Sequence, residues 1–156
     1  MAGETVLIVD DEEMVTTSLR GFLQLETSYN VVTSNAPRQA LEIVNDERVD
    51  VVVADFMMPD MDGLEFLRRC REARPLMTRI LLTGYADKQN AIRAINEAGL
   101  YYYLEKPWSN DHLLLVIRNG IERSALFSEL DSRVTALEDA NVELNGMRQR
   151  LMRAFL

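Results

Sequence analysis

Five short apolar runs, separated by segments with helical spacing, constrain the fold of this chain more than any other feature. The runs are rich in β-branched and aromatic residues and contain no alternating polar positions, which is typical of strands covered on both faces. They are Val6–Val9, Val31–Val32, Val51–Ala54, Ile80–Leu82 and Tyr101–Leu104. Because such runs alternate with amphipathic segments, the pattern predicts a parallel sheet with helices on both faces. Right-handed crossovers then favour a doubly wound, five-stranded α/β fold.

The segments between the runs carry apolar residues three and four positions apart, as amphipathic helices do. The marker residues are Leu19, Phe22 and Leu23, then Ala40, Leu41, Ile43 and Val44, then Leu64, Phe66 and Leu67, and finally Ala91, Ile92, Ala94 and Ile95. Gly99 follows the fourth segment and suits a helix C-terminal cap. Further on, Ser109 or Asn110 can cap a last helix that turns Leu113 and Ile117 toward the sheet.

Beyond residue 125 the apolar spacing tightens to seven residues. Leucines recur at Leu130, Leu137, Leu144 and Leu151, and Phe127, Val134, Asn141, Arg148 and Phe155 occupy the alternate positions of the seam. Leucine at d predicts a parallel, two-stranded coiled coil. We therefore expect an α/β domain over residues 1–123 and, over 124–156, a coiled-coil linker that makes the protein a homodimer. The alternative is a single amphipathic helix that lies on the domain or is disordered alone.

Charge and cysteine content exclude several classes of protein. The chain has 17 basic and 25 acidic residues, a net charge of −8, and so lacks the positive face that nucleic acid or an anionic membrane requires. One cysteine, Cys70, excludes an intramolecular disulfide and a zinc site built from cysteines. No apolar run approaches the roughly 18 residues of a membrane span, and the N-terminus does not resemble a signal peptide. We expect a cytoplasmic protein that binds neither nucleic acid nor membrane directly.

Polar side chains that can carry chemistry follow four of the five runs. Asp10 and Asp11 follow the first run, Asp55 the third, Thr83 the fourth and Lys106 the fifth. The carboxyl ends of the strands in open α/β sheets hold the functional groups, so these side chains should converge. Grouped carboxylates favour a hard divalent cation such as Mg²⁺. A carboxylate beside that cation can attack a phosphoryl group, which a lysine and a hydroxyl stabilise.

Each of these residues also has a plainer interpretation when it is taken alone. Asp10 or Asp11 could cap the helix that follows, and Asp55 could be an aspartate at the end of a loop. Thr83 could belong to a simple turn, and Lys106 could be a solvated strand end. The phosphoryl-transfer hypothesis depends on all five residues lying at one edge of the sheet.

Four motifs, in this order and spacing, resemble the receiver domains of bacterial two-component response regulators. They are Val9-Asp10-Asp11, Asp55-Phe56-Met57-Met58-Pro59-Asp60-Met61-Asp62-Gly63, Thr83-Gly84-Tyr85 and Tyr103-Leu104-Glu105-Lys106-Pro107. The resemblance implies a flavodoxin-like receiver fold, with the long C-terminal helix as an addition. It also implies a phosphoacceptor module that takes a phosphoryl group from a histidine kinase, and a cis peptide bond between Lys106 and Pro107.

The same resemblance implies a role for each residue of the motifs. Asp55 is the expected phosphoacceptor. The expected Mg²⁺ ligands are Asp10, Asp11, Asp55 and the backbone carbonyl of Met57. Lys106 is expected to contact the phosphoryl oxygens. Thr83 would be the switch hydroxyl, and Tyr103 the aromatic residue that moves inward when Thr83 engages the phosphoryl group.

Two outputs are compatible with these roles. The module could relay its signal to an effector domain beyond residue 156, or act as a stand-alone receiver that works as a dimeric switch. We expect no enzyme activity beyond phosphorylation and dephosphorylation of the chain itself. A phosphohydrolase with an aspartate nucleophile is disfavoured, because those enzymes resemble one another in having two aspartates one residue apart after the first strand. Here Asp10 and Asp11 are adjacent, and the candidate nucleophile follows the third run.

Three further residues are assigned no role in the chemistry. We expect Cys70 to be a packing or surface thiol, Trp108 to anchor the last helix by packing, and His112 to lie at the surface or in a helix cap.

Overall fold

The structure, a computed structural model, describes residues 3–84 and 88–155. The strands are β1 (Thr5–Val9), β2 (Asn30–Ser34), β3 (Val51–Asp55), β4 (Thr78–Thr83) and β5 (Tyr102–Glu105). The helices are α1 (Glu13–Glu26), α2 (Pro37–Asp46), α3 (Gly63–Ala73), α4 (Lys88–Glu97) and α5 (Asn110–Phe155). All four strand pairings are parallel, in the order β2-β1-β3-β4-β5. The doubly wound, five-stranded parallel sheet is therefore confirmed.

Two hydrophobic cores lie on opposite faces of the sheet, since successive side chains of a strand point to opposite sides. Leu7 of β1 and Leu81 of β4 belong to the core that includes residues of α2, α3 and α4, whereas Ile8 and Ile80 belong to the core with α1 and α5. The central strands β1, β3 and β4 are buried at every position, as their apolar runs predict. The expectation of cover on both faces is wrong for β5, where Tyr102 is exposed because the strand lies at the sheet edge.

Local signals at the ends of two helices are confirmed. Gly99 has a positive φ of 60° just beyond the end of α4, where a left-handed residue commonly terminates a helix. Ser109, rather than Asn110, caps α5, because its Oγ accepts a hydrogen bond from the His112 amide at 3.4 Å. Gly120 lies within α5 against Thr78 of β4, whose hydroxyl donates to the Gly120 carbonyl at 2.9 Å. A Cβ atom at Gly120 would come within 3.0 Å of the Thr78 methyl group.

Arg79 of β4 joins the C-terminal ends of α3 and α4. Its side chain is buried, with the whole residue only 5% exposed. Its Nε donates to the Ala98 carbonyl at 2.8 Å and its Nη1 donates to the Met77 carbonyl at 2.9 Å. Longer contacts of 3.2–3.4 Å reach the carbonyls of Gly99 and of the chain that follows α3. A buried cation thus satisfies carbonyls at and just beyond the C-terminal ends of two helices, where the helix dipoles place partial negative charge, as well as the Met77 carbonyl before β4.

The chain divides into two compact units, Met1–Ser124 and Ala125–Leu156. The first unit contains the sheet and both cores. The second consists of the remaining part of α5, and nearly all of its described residues are exposed. Over residues 3–84 and 88–155, no helix combines the length and the apolar character that crossing a bilayer requires.

Candidate functional site

The strand order brings the chemistry-bearing residues to one edge of the sheet. Asp10 directly follows β1, and Asp55 is the last residue of β3, the strand that pairs with β1. Thr83 ends β4, and Lys106 directly follows β5. Since these strands are parallel neighbours, their carboxyl ends meet, as the sequence pattern predicts. The convergence on which the phosphoryl-transfer hypothesis depends is present.

Three carboxylates form a tight cluster at this edge. One oxygen from each of Asp10, Asp11 and Asp55 lies within 4.8 Å of the others. Asp10 and Asp55 are buried, whereas Asp11 is exposed. Burial raises the pKa of Asp10 to about 6; a hydrogen bond from the Glu12 amide opposes the shift, and the charge of Asp55 adds to it. The cluster therefore favours a cation that can offset charge in a partly dehydrated pocket.

The ammonium group of Lys106 is the counter-charge on the protein. Its Nζ lies 3.0 Å from Oδ1 of Asp55, with the lysine side chain one third exposed. Burial raises the pKa of Asp55, and the hydrogen bond and charge of Lys106 partly reverse that shift. Burial alone would lower the pKa of Lys106, but Asp55 and then Asp10 outweigh it and raise the pKa overall. The Lys106–Pro107 peptide bond is cis, as expected from the resemblance.

Two buried polar atoms at this edge have no hydrogen-bond partner among the residues that the structure describes. They are Oδ2 of Asp10 and the hydroxyl oxygen of Thr83. Buried polar atoms in folded proteins nearly always have partners, so these two atoms indicate a ligand. A free carboxylate oxygen suits a divalent cation with a preference for oxygen, and a free hydroxyl suits a phosphoryl oxygen. The residues present therefore fit both Mg²⁺ and a phosphoryl group.

The Asp10 side chain is not a helix cap. Its Oδ1 accepts a hydrogen bond from the Glu12 amide at 2.9 Å, and Glu12 itself is the N-cap residue of α1. The alternative in which Asp10 or Asp11 merely caps this helix is therefore wrong for both residues. One carboxylate oxygen of Asp10 fixes the local turn, and the other is left unpaired.

A loop of seven residues joins Asp55 to α3, and Gly63 closes it. The Gly63 amide donates to the Phe56 carbonyl at 2.8 Å. A Cβ atom at Gly63 would collide with the Asp55 carbonyl oxygen and come within 2.9 Å of the Phe56 Cα, so only glycine fits. Met57 lies in this loop and is 65% exposed, beside a cavity of about 400 Å³ that Asp11 also lines.

Thr83 and Tyr103 lie on neighbouring strands and on the same side of the sheet. Tyr103 pairs with Leu81, two residues before Thr83. Thr83 is fully buried, and Tyr103 is partly buried against the core that includes α2, α3 and α4. Tyr85, which belongs to the third motif, lies outside the described residues.

The residues that were assigned no role in the chemistry have clear positions. Cys70 is fully buried, so it is a packing thiol, and burial raises its pKa to about 12. Trp108 packs against the core with α1 and α5, as expected. Its ring centroid also lies 5.9 Å from Nζ of Lys106, a cation–π contact that sequence reasoning missed. His112 is exposed and meets the Tyr102 ring edge-on at 5.7 Å.

A groove beside Trp108 was also missed. Its volume is about 520 Å³, and β5 together with the segment Pro107–Ser109 that leads to α5 supplies most of its lining. The available signal in the sequence is the three consecutive tyrosines, Tyr101–Tyr103, because a run of this kind can line a groove as well as form a buried strand.

Comparison with known proteins agrees with this geometry. Residues 6–118 match the family model described as the response regulator receiver domain. The chain is 37% identical over 126 residues to the hydrogenase transcriptional regulatory protein HoxA of Cupriavidus necator, covering 81% of this chain and 26% of that protein. It is 33% identical over 143 residues to a putative NtrX-like response regulator of Rickettsia bellii, covering 90% of this chain and 27% of that protein. The chain thus spans about a quarter of the length of these relatives.

Solved structures show the same similarity. A response regulator receiver domain protein from Clostridium thermocellum is 33% identical, with a TM-score of 0.74 over 80% of this chain and 98% of that one. A structure described as an adenylate cyclase from Rhodopirellula baltica is 26% identical, with a TM-score of 0.81 over 85% of this chain and 98% of that one. Together with the acidic edge of the sheet, these matches establish that the chain belongs to the response regulator receiver domain family.

Proposed function

We propose that Asp55 accepts a phosphoryl group from a histidine kinase, in a pocket that holds Mg²⁺. As a receiver domain, the chain is the phosphoacceptor module of a two-component system, and the family binds Mg²⁺ at an acidic pocket. The observation that carries the assignment to Asp55 is its place in the carboxylate cluster, with the Lys106 ammonium 3.0 Å from its Oδ1. Of the three clustered aspartates, only Asp55 has an ion pair with a lysine among the described contacts.

The transfer step follows from the chemistry of the residues around Asp55. A carboxylate oxygen of Asp55 attacks phosphorus, and the bond from phosphorus to the donor histidine nitrogen breaks, so that the imidazole leaves with the electron pair. Lys106 offsets the charge of the phosphoryl oxygens. The unpaired hydroxyl of Thr83 donates to one of them.

The proposed metal ligands are Asp10, Asp11, Asp55 and the backbone carbonyl of Met57. The unpaired Oδ2 of Asp10 supports this set, as does the position of Met57 in the loop directly after Asp55. Bound Mg²⁺ would offset the charge that the carboxylates and phosphoryl oxygens bring together. Beyond its own phosphorylation and dephosphorylation, the chain is proposed to have no enzyme activity.

The signal is proposed to leave the site through Thr83 and Tyr103. When the Thr83 hydroxyl moves to the phosphoryl group, it vacates space on the sheet face that it shares with Tyr103. Tyr103 is only partly buried, so an inward turn of its ring would cover surface that is now exposed. Phosphorylation then shifts the population toward the state with Tyr103 inside.

The second unit is proposed to form a parallel two-stranded coiled coil with a second copy of this chain. Its seam residues are exposed in the single chain: Val134 by 44%, Leu137 by 70% and Leu144 by 63%. An exposed, mostly apolar stripe of this kind on a helix normally lies in an interface. A shallow surface depression is lined by these three residues together with Asn141, on the face of the helix that a second helix would cover.

The parallel orientation is supported by the polar residues of the seam. Two Asn141 side chains face each other in a parallel pair and can share a hydrogen bond, whereas an antiparallel pair sets each against leucine. Arg133 can reach Glu138 of the second copy, from g to the following e position. Within one chain Arg133 forms an ion pair with Glu129 at 2.7 Å. That pair is exposed, so little free energy is lost when Arg133 leaves Glu129 to pair with Glu138 of the second copy.

Regulation of transcription through an effector domain is the proposed output, because HoxA is described as a transcriptional regulatory protein. The alternative is a stand-alone receiver that signals as a dimer. A net charge of −8 supports an effector, rather than this chain, as the part that contacts nucleic acid. The proposed compartment is the cytoplasm, where a histidine kinase would meet this chain, and no direct membrane contact is proposed.

Mass spectrometry after treatment with acetyl phosphate and Mg²⁺ tests the assignment of Asp55. The parent chain should gain one phosphoryl group, and Asp55→Asn should gain none. Asp60→Asn is the matched control, because Asp60 lies exposed in the same loop and its positive φ of 69° suits asparagine. EDTA should abolish labelling of the parent. Labelling of Asp55→Asn at the parent rate would show that the assignment is wrong, and labelling of the parent in EDTA would show that Mg²⁺ is not required.

Sedimentation equilibrium at micromolar concentration tests the coiled coil. The parent should be a dimer, and Leu137→Glu should be a monomer, because it places a charge in the seam. Thr135→Glu, on the outer face of the same turn, should remain a dimer. A monomeric parent, or a dimer that persists in Leu137→Glu, would contradict the proposal.

A further inference from the structure

Asn35 contacts the turn that carries the first two aspartates of the site. It lies between β2 and α2, and its side-chain nitrogen is 2.9 Å from the Asp10 carbonyl oxygen and 3.1 Å from the Thr16 hydroxyl. A carbonyl oxygen can only accept a hydrogen bond, so the amide nitrogen of Asn35 is the group that faces it. Both contacts are distant in sequence, although asparagine in a loop usually bonds to its own neighbours.

Asp10 is held at three points, and Asn35 supplies one of them. The Asp10 amide donates to the Ser34 carbonyl at 3.2 Å, and its Oδ1 accepts from the Glu12 amide at 2.9 Å. Its carbonyl oxygen belongs to the peptide plane that joins it to Asp11. The hydrogen bond from Asn35 therefore orients the peptide group between Asp10 and Asp11. This matters for Asp11 because its side chain is exposed and is restrained little by packing.

A role in capping α2 does not account for these contacts. The N-cap residue of α2 is Ala36, and Pro37 begins the helix. The side chain that bonds to Ala36 is that of Ser34, whose hydroxyl donates to the Ala36 carbonyl at 2.9 Å. The two bonds of Asn35 reach instead the β1–α1 turn at Asp10 and the first part of α1 at Thr16.

We propose that Asn35 is a positioning residue for the metal site. Its amide bond to the Asp10 carbonyl holds the Asp10–Asp11 peptide so that both carboxylates lie close enough to share one divalent cation. The proposal rests on the proposed function of Asp10 and Asp11 as Mg²⁺ ligands. It extends that site to a residue that contacts neither the metal nor the phosphoryl group.

Isothermal titration calorimetry of the full chain with MgCl₂ tests this role. Asn35→Ala should weaken Mg²⁺ binding about fivefold, since partners of metal ligands typically alter affinity by a larger factor and Asn35 acts through one more bond. Asn35→Ser should weaken it similarly, because the shorter hydroxyl side chain does not reach the carbonyl. At saturating Mg²⁺, the maximal rate of labelling by acetyl phosphate should stay within about twofold of the parent for both variants, because Asn35 acts on metal affinity.

Asn30→Ala is the matched control. Asn30 is also exposed, at the opposite end of β2, and its Nδ2 contacts the Thr5 hydroxyl at 3.4 Å. The Mg²⁺ affinity of Asn30→Ala should equal that of the parent. If Asn35→Ala or Asn35→Ser binds Mg²⁺ as tightly as the parent, Asn35 has no positioning role. If the parent itself does not bind Mg²⁺, the proposed function fails, and this result is distinct from a failure confined to Asn35.

Discussion

Replacement of Arg79 by methionine should destabilise the first unit by about 3 kcal/mol. Methionine keeps the apolar stem but removes every donor. The Ala98 and Met77 carbonyls, bonded at 2.8 and 2.9 Å, would then lose their partners in a region where Arg79 is only 5% exposed. Each unpaired buried carbonyl costs about 1–1.5 kcal/mol, and loss of the cation at the ends of two helices adds about 0.5 kcal/mol for each helix.

Urea unfolding followed by the fluorescence of Trp108 measures this effect. Trp108 is the sole tryptophan and lies in the first unit, so its signal reports on that unit. With an m-value of about 2 kcal/mol per molar urea, the midpoint should fall by about 1.5 M. The urea midpoint of Arg79→Lys should lie between those of Arg79→Met and the parent. The lysine ammonium group keeps the charge and three donors, but it cannot reach all the carbonyls that the arginine fork reaches together.

Arg71→Met is the control for the loss of a positive charge close to Arg79, since both side chains lie beside Gly99. Arg71 is exposed and has one long bond, 3.4 Å, to the Glu97 carbonyl, so its removal should cost no more than about 0.5 kcal/mol. If the free energy of unfolding of Arg79→Met is within about 1 kcal/mol of the parent value, or its urea midpoint is no lower than that of Arg71→Met, the buried guanidinium does not hold the two helix ends.

The remaining predictions concern the site and its surroundings. Lys106→Met should slow labelling by acetyl phosphate about 100-fold at saturating Mg²⁺, because it removes the ammonium 3.0 Å from Asp55; a rate within threefold of the parent would contradict its role. Thr83→Ala should be labelled much as the parent is, but lose the change in tyrosine fluorescence that phosphorylation produces; an unchanged spectral response would refute coupling through Thr83. Cys70 should resist Ellman's reagent at pH 8 and react only in urea, since it is fully buried and burial raises its pKa to about 12; a fast reaction of the native chain would refute this.

The sequence by itself determined the class of fold and the place of the chemistry. Apolar runs such as Val51–Ala54 specify strands buried on both faces, and the helical segments between them require parallel connections. Once the strands are parallel, residues that end them, such as Asp55 and Thr83, must share one edge. These conclusions depend on local periodicity and on general rules of chain connection, so they did not require knowledge of which strands are neighbours.

Only the tertiary structure decided which atoms are paired and which are left free. Asp10 and Asp11 are adjacent and chemically identical in the sequence, yet one is buried with an unpaired oxygen and the other is exposed. Arg79 precedes the apolar run Ile80–Leu82 and gives no sign in the sequence that five carbonyls surround it. Asn35 reaches Asp10 across 25 residues. Such contacts depend on strand order and on the seating of helices against the sheet, which arise when the whole chain packs, and no short stretch of sequence encodes them.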